Sequence, residues 1–188
     1  MLILILLWGI YFFLHSYMAS VSVKKSITNA FGCTQKSYRL AYNLFNIITL
    51  ILLLFLLLKA PDSLLYKGNM VSLTIGILVI FSGVSIMFLA VKNYDLPAFF
   101  GFRNETSMPL QIKGIHKYVR HPLYSGTLLF FLGICIAWPE TKYWILFLLM
   151  FSYILIGIKL EEKKLIITFG DEYKYYQKKV KQLIPYLL

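Results

Sequence analysis

Residues 117–164 read "KYVRHPLYSGTLLFFLGICIAWPETKYWILFLLMFSYILIGIKLEEKK". No charged residue falls between Pro122 and Pro139, and none between Tyr143 and Ile158. The "PETK" between these runs is too short for anything but a tight reversal, so the two runs form an antiparallel helical hairpin. Basic and titratable side chains cluster at its start (Lys117, Arg120, His121) and paired glutamates follow its end (Glu161, Glu162). In a hairpin these two ends are neighbours. A helix that only had to span a bilayer would need neither His121 nor Tyr124 at its mouth.

The rest of the chain agrees with a bilayer. Of 188 residues, 59% are hydrophobic and 14% charged, against roughly 45–50% and 25% for a soluble domain. Three more stretches lack Asp, Glu, Lys and Arg: Met1–Val23, Leu40–Leu58 and Gly68–Val91. A spanning helix takes about 17–25 residues. Four of the five runs reach that length, and Lys159 can snorkel to extend the fifth. The expectation is an all-α, polytopic bundle of five spans, with a three-helix region at 1–91 and a second region at 92–188. No basic segment precedes the first run, which reads as a retained helix.

Lys and Arg divide 16 to 3 between the two sides of a five-span chain. The positive-inside rule then puts the N-terminus outside and the C-terminus in the cytoplasm. The net charge of +11 is read as attraction to anionic headgroups. With no basic stripe away from the membrane flanks, nucleic acid is excluded as a partner. Two cysteines are too few for a disulfide framework or a zinc site, and Cys33 and Cys135 read as a loop residue and a buried one.

Within this frame, "SVKKSITNAFGCTQKSYRLAYN" reads as a basic loop turning at Gly32, and the Leu-rich second span as a lipid-facing helix. Gly76, Ser82, Gly83 and Ser85 read as close helix packing. His15 reads as a hydrogen-bonded histidine inside the bundle. The connection from Lys92 to His121 is long and rich in aromatic residues, which marks it as functional. In the tail, Leu165, Phe169, Tyr173, Tyr176 and Val180 share one helical face. That makes an amphipathic helix on the cytoplasmic surface, or one folded back over the bundle, with Gly170 as its weak point.

"GIHKYVRHPLYSG" (114–126) followed by "EEKKLIITFGDEYKYYQKKV" (161–180) resembles the isoprenylcysteine carboxyl methyltransferase superfamily of integral membrane methyltransferases. The shared pattern is Arg-His-Pro-x-Tyr, a helical hairpin, paired Glu, then Phe-Gly-x-x-Tyr-x-x-Tyr. "FLHSYMAS" (13–20), "YRLAYN" (38–43) and "DLPAFFGFR" (95–103) resemble its methanethiol S-methyltransferase branch. The resemblance implies S-adenosyl-L-methionine as cofactor. It assigns cofactor contacts to Met108, Pro109, Leu110, Gln111, His116, His121, Pro122, Leu123, Tyr124 and Glu161; the chemistry of the cluster itself makes His121, Arg120 and Tyr124 the catalytic candidates. His116 stands where the family has Tyr. Gly157 stands where it has a substrate-binding Arg, which disfavours a prenylcysteine carboxylate and favours a small thiol.

The chemistry of the residues is consistent with that implication. Glu161 can pair with an ammonium, and N–H groups freed by Pro122 at a helix start suit a carboxylate. Glu161 and Glu162 point about 100° apart on a helix, so they should not share a partner. A thiol acceptor must be a thiolate, which Arg120 would favour. No dedicated base stands out; His121 is eligible, but cofactor binding is its first reading. The expected partners are a small or lipid-soluble acceptor and membrane lipids. The alternatives are a prenylcysteine or phospholipid methyltransferase, or a non-catalytic membrane protein or transporter that kept the fold. No inverted repeat speaks for a transporter.

Overall fold

The computed structural model describes residues 1–61, 63–92, 94, 96–100, 102 and 109–187. Met108, one of the expected cofactor contacts, lies outside them. The described residues fold into helices, α1 (Leu2–Met18), α2 (Val21–Phe31), α3 (Gln35–Lys59), α4 (Met70–Val91), α5 (Leu96–Phe100), α6 (Pro122–Ala137), α7 (Thr141–Phe169) and α8 (Asp171–Lys179), with a 3₁₀ turn at Gly114–Lys117. Three helices, α3, α4 and α7, are long and apolar enough to cross a bilayer, and α1 with α2 makes a fourth candidate bent by 71°. The chain is thus an all-α, multi-pass membrane protein. α6 has 16 residues, about 24 Å of helix against a hydrocarbon core of about 30 Å.

The chain divides into two compact units, residues 1–61 with 94–107 and residues 62–93 with 108–188. In the first, α1 buries Trp8 and Phe12, and α3 buries Tyr38, Asn46, Leu53 and Leu57. His15 Nδ1 lies 2.9 Å from Asn46 Oδ1, and the Tyr38 hydroxyl donates to the Met18 carbonyl at 2.7 Å. His15 is therefore a hydrogen-bonded residue between two helices, as read from the sequence. The expected single span Met1–Val23 is corrected. The helix ends at Met18, because Ser20 turns extended and caps α2, its hydroxyl accepting from Val23 N–H. The expected basic loop is corrected too. Lys24 and Lys25 lie on helix α2, and only the turn at Gly32, with φ +60°, is irregular as foreseen.

The second unit is built on a glycine-lined crossing of α4 and α6. Gly83 faces Gly126, and Gly76 faces Gly133, each pair seven residues apart on its helix, so the helices run antiparallel at backbone contact. A Cβ on Gly83 would stand 2.6 Å from Phe130 N, and one on Gly133 2.7 Å from Gly76 O. Packing of this kind drives helix association where apolar burial cannot. Gly76 and Gly83 were legible as packing residues, but their partners on α6 were not. The α6–α7 hairpin is as expected. Its turn is fastened to the segment before α4 by Leu65 N–H to Pro139 O and Thr141 N–H to Ser63 O, both 2.9 Å.

The tail corrects a third reading. α7 has 29 residues, about 43 Å, so it runs on unbroken through the paired glutamates. It ends at Gly170, whose φ of +57° and ψ of −128° belong to glycine's range. The helix resumes as α8 and folds back, burying Tyr173 and Tyr176. The amphipathic face is real, but it is shared between two helices.

Candidate active site

Glu162 is the hub of the open end of the hairpin, where α6 starts and the glutamates of α7 lie, and it is buried. Arg120 meets its Oε1 with both Nε and Nη2 at 2.7 Å. His121 Nε2 and the Tyr173 hydroxyl each reach the same oxygen at 3.2 Å. Gln177 and Gln182 donate to Oε2 at 3.1 and 3.2 Å. Donors from the α6 start, from α8 and from the tail so converge on one carboxylate. A charge buried in this way is held only because every lone pair is matched. Burial, and next the Glu162 charge, push the Tyr173 phenol well above its ordinary range, so it remains a donor.

The tail closes the arrangement through its backbone. Arg120 N–H donates to Lys181 O at 2.8 Å and His121 N–H to Gln182 O at 3.0 Å. The Ser125 hydroxyl donates to Leu183 O at 2.6 Å. Arg120 Nη1 also donates to the carbonyls of Gln177 and Val180. Leu183 is buried in a cluster with Ile154 and Ile158, against which Tyr124 packs.

Two expectations are corrected here. The N–H groups upstream of Pro122 do not face a ligand; the tail carbonyls take them. Nor is the Arg120 guanidinium open to favour a thiolate, since Glu162 and two carbonyls engage it and its side chain is 8% exposed.

Glu161, one residue before the hub, has a different environment. Its side chain is 43% exposed. Its Oε2 accepts from the Tyr124 hydroxyl at 2.9 Å and stands 3.7 Å from His121 Nδ1. His121 therefore lies between the two glutamates, one nitrogen toward each. They share no hydrogen-bond partner, as expected: His121 Nε2 reaches Glu162, while Nδ1 only stands near Glu161, beyond hydrogen-bond length.

The structure thus brings together Arg120, His121, Tyr124 and Glu161 among the expected residues. Pro122 is fully buried as the first residue of α6, and Leu123 is exposed. His116 is buried in the 3₁₀ turn, its carbonyl accepting from the Tyr176 hydroxyl at 2.5 Å. Burial lowers its pKa, and the Lys113 carbonyl opposes this. Pro109 is exposed, Leu110 and Gln111 are half-buried, and Gln111 Nε2 lies 3.5 Å from Pro109 O. Glu162 was read only as the second of the paired glutamates, with no role of its own, and Gln177, Gln182 and Ser125 were not singled out from the sequence. The buried Tyr173 and Tyr176 stripe marked the face on which Gln177 lies, but nothing marked Gln182.

The chain matches the family described as NnrU protein over residues 3–185. It is 45% identical over 75 residues to methanethiol S-methyltransferase of Pseudomonas deceptionensis, covering 39% of this chain and 27% of that protein. It is 29% identical over 199 aligned positions to methanethiol S-methyltransferase 2 of Bradyrhizobium diazoefficiens, covering 99% of this chain and 73% of that one. Protein-S-isoprenylcysteine O-methyltransferase of Schizosaccharomyces pombe is 38% identical over 73 residues, 38% of this chain and 31% of the relative. The match to the Pseudomonas relative thus spans about a quarter of its length. No solved structure matches. The resemblance read from the two motifs is met by relatives of both names.

Proposed function

The chain belongs to the NnrU protein family, and we propose that it is a membrane methyltransferase that uses S-adenosyl-L-methionine to methylate a small thiol. The observation that carries this reading is the half-exposed Glu161 carboxylate, oriented by Tyr124 and flanked by His121, against a frame locked by Glu162. The names of the relatives supply the reaction class.

The donor set fits part of the cofactor. S-adenosyl-L-methionine, when bound, supplies an activated methyl group on a sulfonium. Glu161 suits its ammonium, and Tyr124 holds the carboxylate in place. His121, Pro122 and Leu123 shape the α6 start, and Pro109, Leu110, Gln111 and His116 belong to the segment leading into it. Arg120 acts as a positioning residue, because its contacts are with Glu162 and the tail. The chain's own task is alignment and exclusion of water. Leu183, Ile154, Ile158 and Tyr124 provide the apolar wall.

Gly157 lies four residues before Glu161 and so on the same helix face. A Cβ there would meet nothing within 4 Å. This position offers no cation to hold a carboxylate, which favours a thiol over a prenylcysteine. In this reading the chain crosses the bilayer five times, with α6 crossing beside α4 and the C-terminus in the cytoplasm, where the cofactor is. Purified protein in detergent, given methyl-labelled cofactor and a panel of alkanethiols, prenylcysteines and phospholipids, tests the reading. Labelled thioether is expected. Labelled ester or labelled lipid alone would replace the acceptor, and no label in any product would refute the activity.

A further inference from the structure

Methylating a thiol requires that its proton go somewhere, and Arg120 is not free to favour the thiolate. We propose that His121 is the base that takes this proton, at Nδ1, with Glu162 as the positioning residue that fixes the ring. The inference rests on the thiol reading above. Glu162 Oε1 lies 3.2 Å from Nε2. That carboxylate also accepts from Arg120, Tyr173, Gln177 and Gln182, so it accepts from Nε2–H as well and leaves Nδ1 with its lone pair.

Nδ1 is placed for the task. Glu161 Oε2 is 3.7 Å away, beyond hydrogen-bond length, and that oxygen already accepts from Tyr124. Among the described residues, two acceptors thus face each other with no hydrogen bond between them. The ring is otherwise buried, 4% exposed, while Glu161 beside it is 43% exposed. A small thiol that reaches Glu161 reaches Nδ1.

The step balances. The S–H bond breaks, its electron pair stays on sulfur as the thiolate, and an N–H bond forms at Nδ1. The resulting imidazolium lies between Glu161 and Glu162 of α7, with Arg120 before α6, Tyr124 on α6, Tyr173 on α8 and His116 in the 3₁₀ turn as the other ionisable groups around it. Water later removes the proton.

Two measurements test this. First, protein labelled with ¹⁵N in its histidine rings is examined by NMR at pH 8, without donor or acceptor, the three histidines being assigned with His15→Gln and His116→Gln. A proton on Nε2 and a bare Nδ1 are expected for His121, and Glu162→Asp should shift that tautomer balance. A proton on Nδ1 in the wild type would overturn the proposal whatever the variants do. Second, wild type and His121→Gln are assayed with an alkanethiol and with an electron-poor arylthiol that is already ionised at neutral pH. The loss with the alkanethiol should exceed the loss with the arylthiol by about 100-fold, the low end of general-base contributions. Equal losses overturn the base and leave the methyltransferase intact. A wild type that methylates neither thiol refutes the function and this base with it.

Discussion

Gly83→Ala adds one methyl group to α4 at the point where α6 passes closest. The new Cβ would stand 2.6 Å from Phe130 N and 2.7 Å from Gly126 O, whereas ordinary contact begins at 3.4 Å. Both opposing atoms are backbone, so neither can swing aside, and the helices must part by about 0.8 Å locally. A gap of that size forfeits roughly a quarter to a half of each dispersion contact it opens. Overpacking costs about 1–3 kcal/mol, and immovable backbone places this site near the upper end. Ala regains about 1 kcal/mol of helix propensity, leaving a net loss of about 2 kcal/mol. For a chain of this size that lowers Tm by roughly 4–8 °C. Gly9→Ala on α1 is the control: its Cβ would meet nothing within 4 Å, so only the propensity gain of about 1 kcal/mol remains. Thermal unfolding of both variants in one detergent reads the difference. The two should move Tm in opposite directions. Equal shifts, or a stabilised Gly83→Ala, would refute the claim that α4 and α6 meet at backbone contact.

Other outcomes follow from the site. Glu161→Gln should keep the wild-type Tm yet weaken cofactor binding at least about tenfold, the low end for a hydrogen bond to a charged group; unchanged affinity by calorimetry removes Glu161 from the site. Arg120→Gln should instead cost stability, about 3–5 kcal/mol, because it leaves the Glu162 charge buried without its partner; denaturant unfolding measures it, and a loss below about 1 kcal/mol would contradict the hub. Leu183→Ala should lose about 2–5 kcal/mol although it lies near the chain's end, since Leu183 is 4% exposed; an unchanged unfolding midpoint would show that the tail does not seal the site. Reporter fusions at the two termini should read outside for the N-terminus and cytoplasm for the C-terminus, and any other pair of readings contradicts the five-span proposal.

The sequence by itself determined the class of the protein and the neighbourhood of its site. Long apolar runs allow only helices in a bilayer, because each backbone group must find its partner within the segment. A four-residue turn between two such runs forces their far ends together, so Arg120, His121 and Tyr124 had to lie near the paired glutamates. The Tyr173 and Tyr176 face was legible for the same kind of reason, a period that only a helix produces.

What the tertiary structure alone decided is which glutamate is buried among donors and which is half-exposed. Glu161 and Glu162 are identical in type and adjacent in sequence, and nothing local distinguishes a half-exposed carboxylate from a buried hub. The distinction comes from Gly170, whose positive φ lets α8 fold back and bring Tyr173, Gln177 and then Gln182 onto Glu162. The same fold-back supplies the Lys181 and Gln182 carbonyls that take the N–H groups which helix-start reasoning had reserved for a ligand. The pairing of Gly83 with Gly126 was hidden likewise, since a helix glycine states that something comes close but not what. Periodicity and run length are properties of one segment and can be read along the chain; the choice between equivalent carboxylates, N–H groups or small residues is made by whichever distant segment arrives, and only the folded chain contains that information.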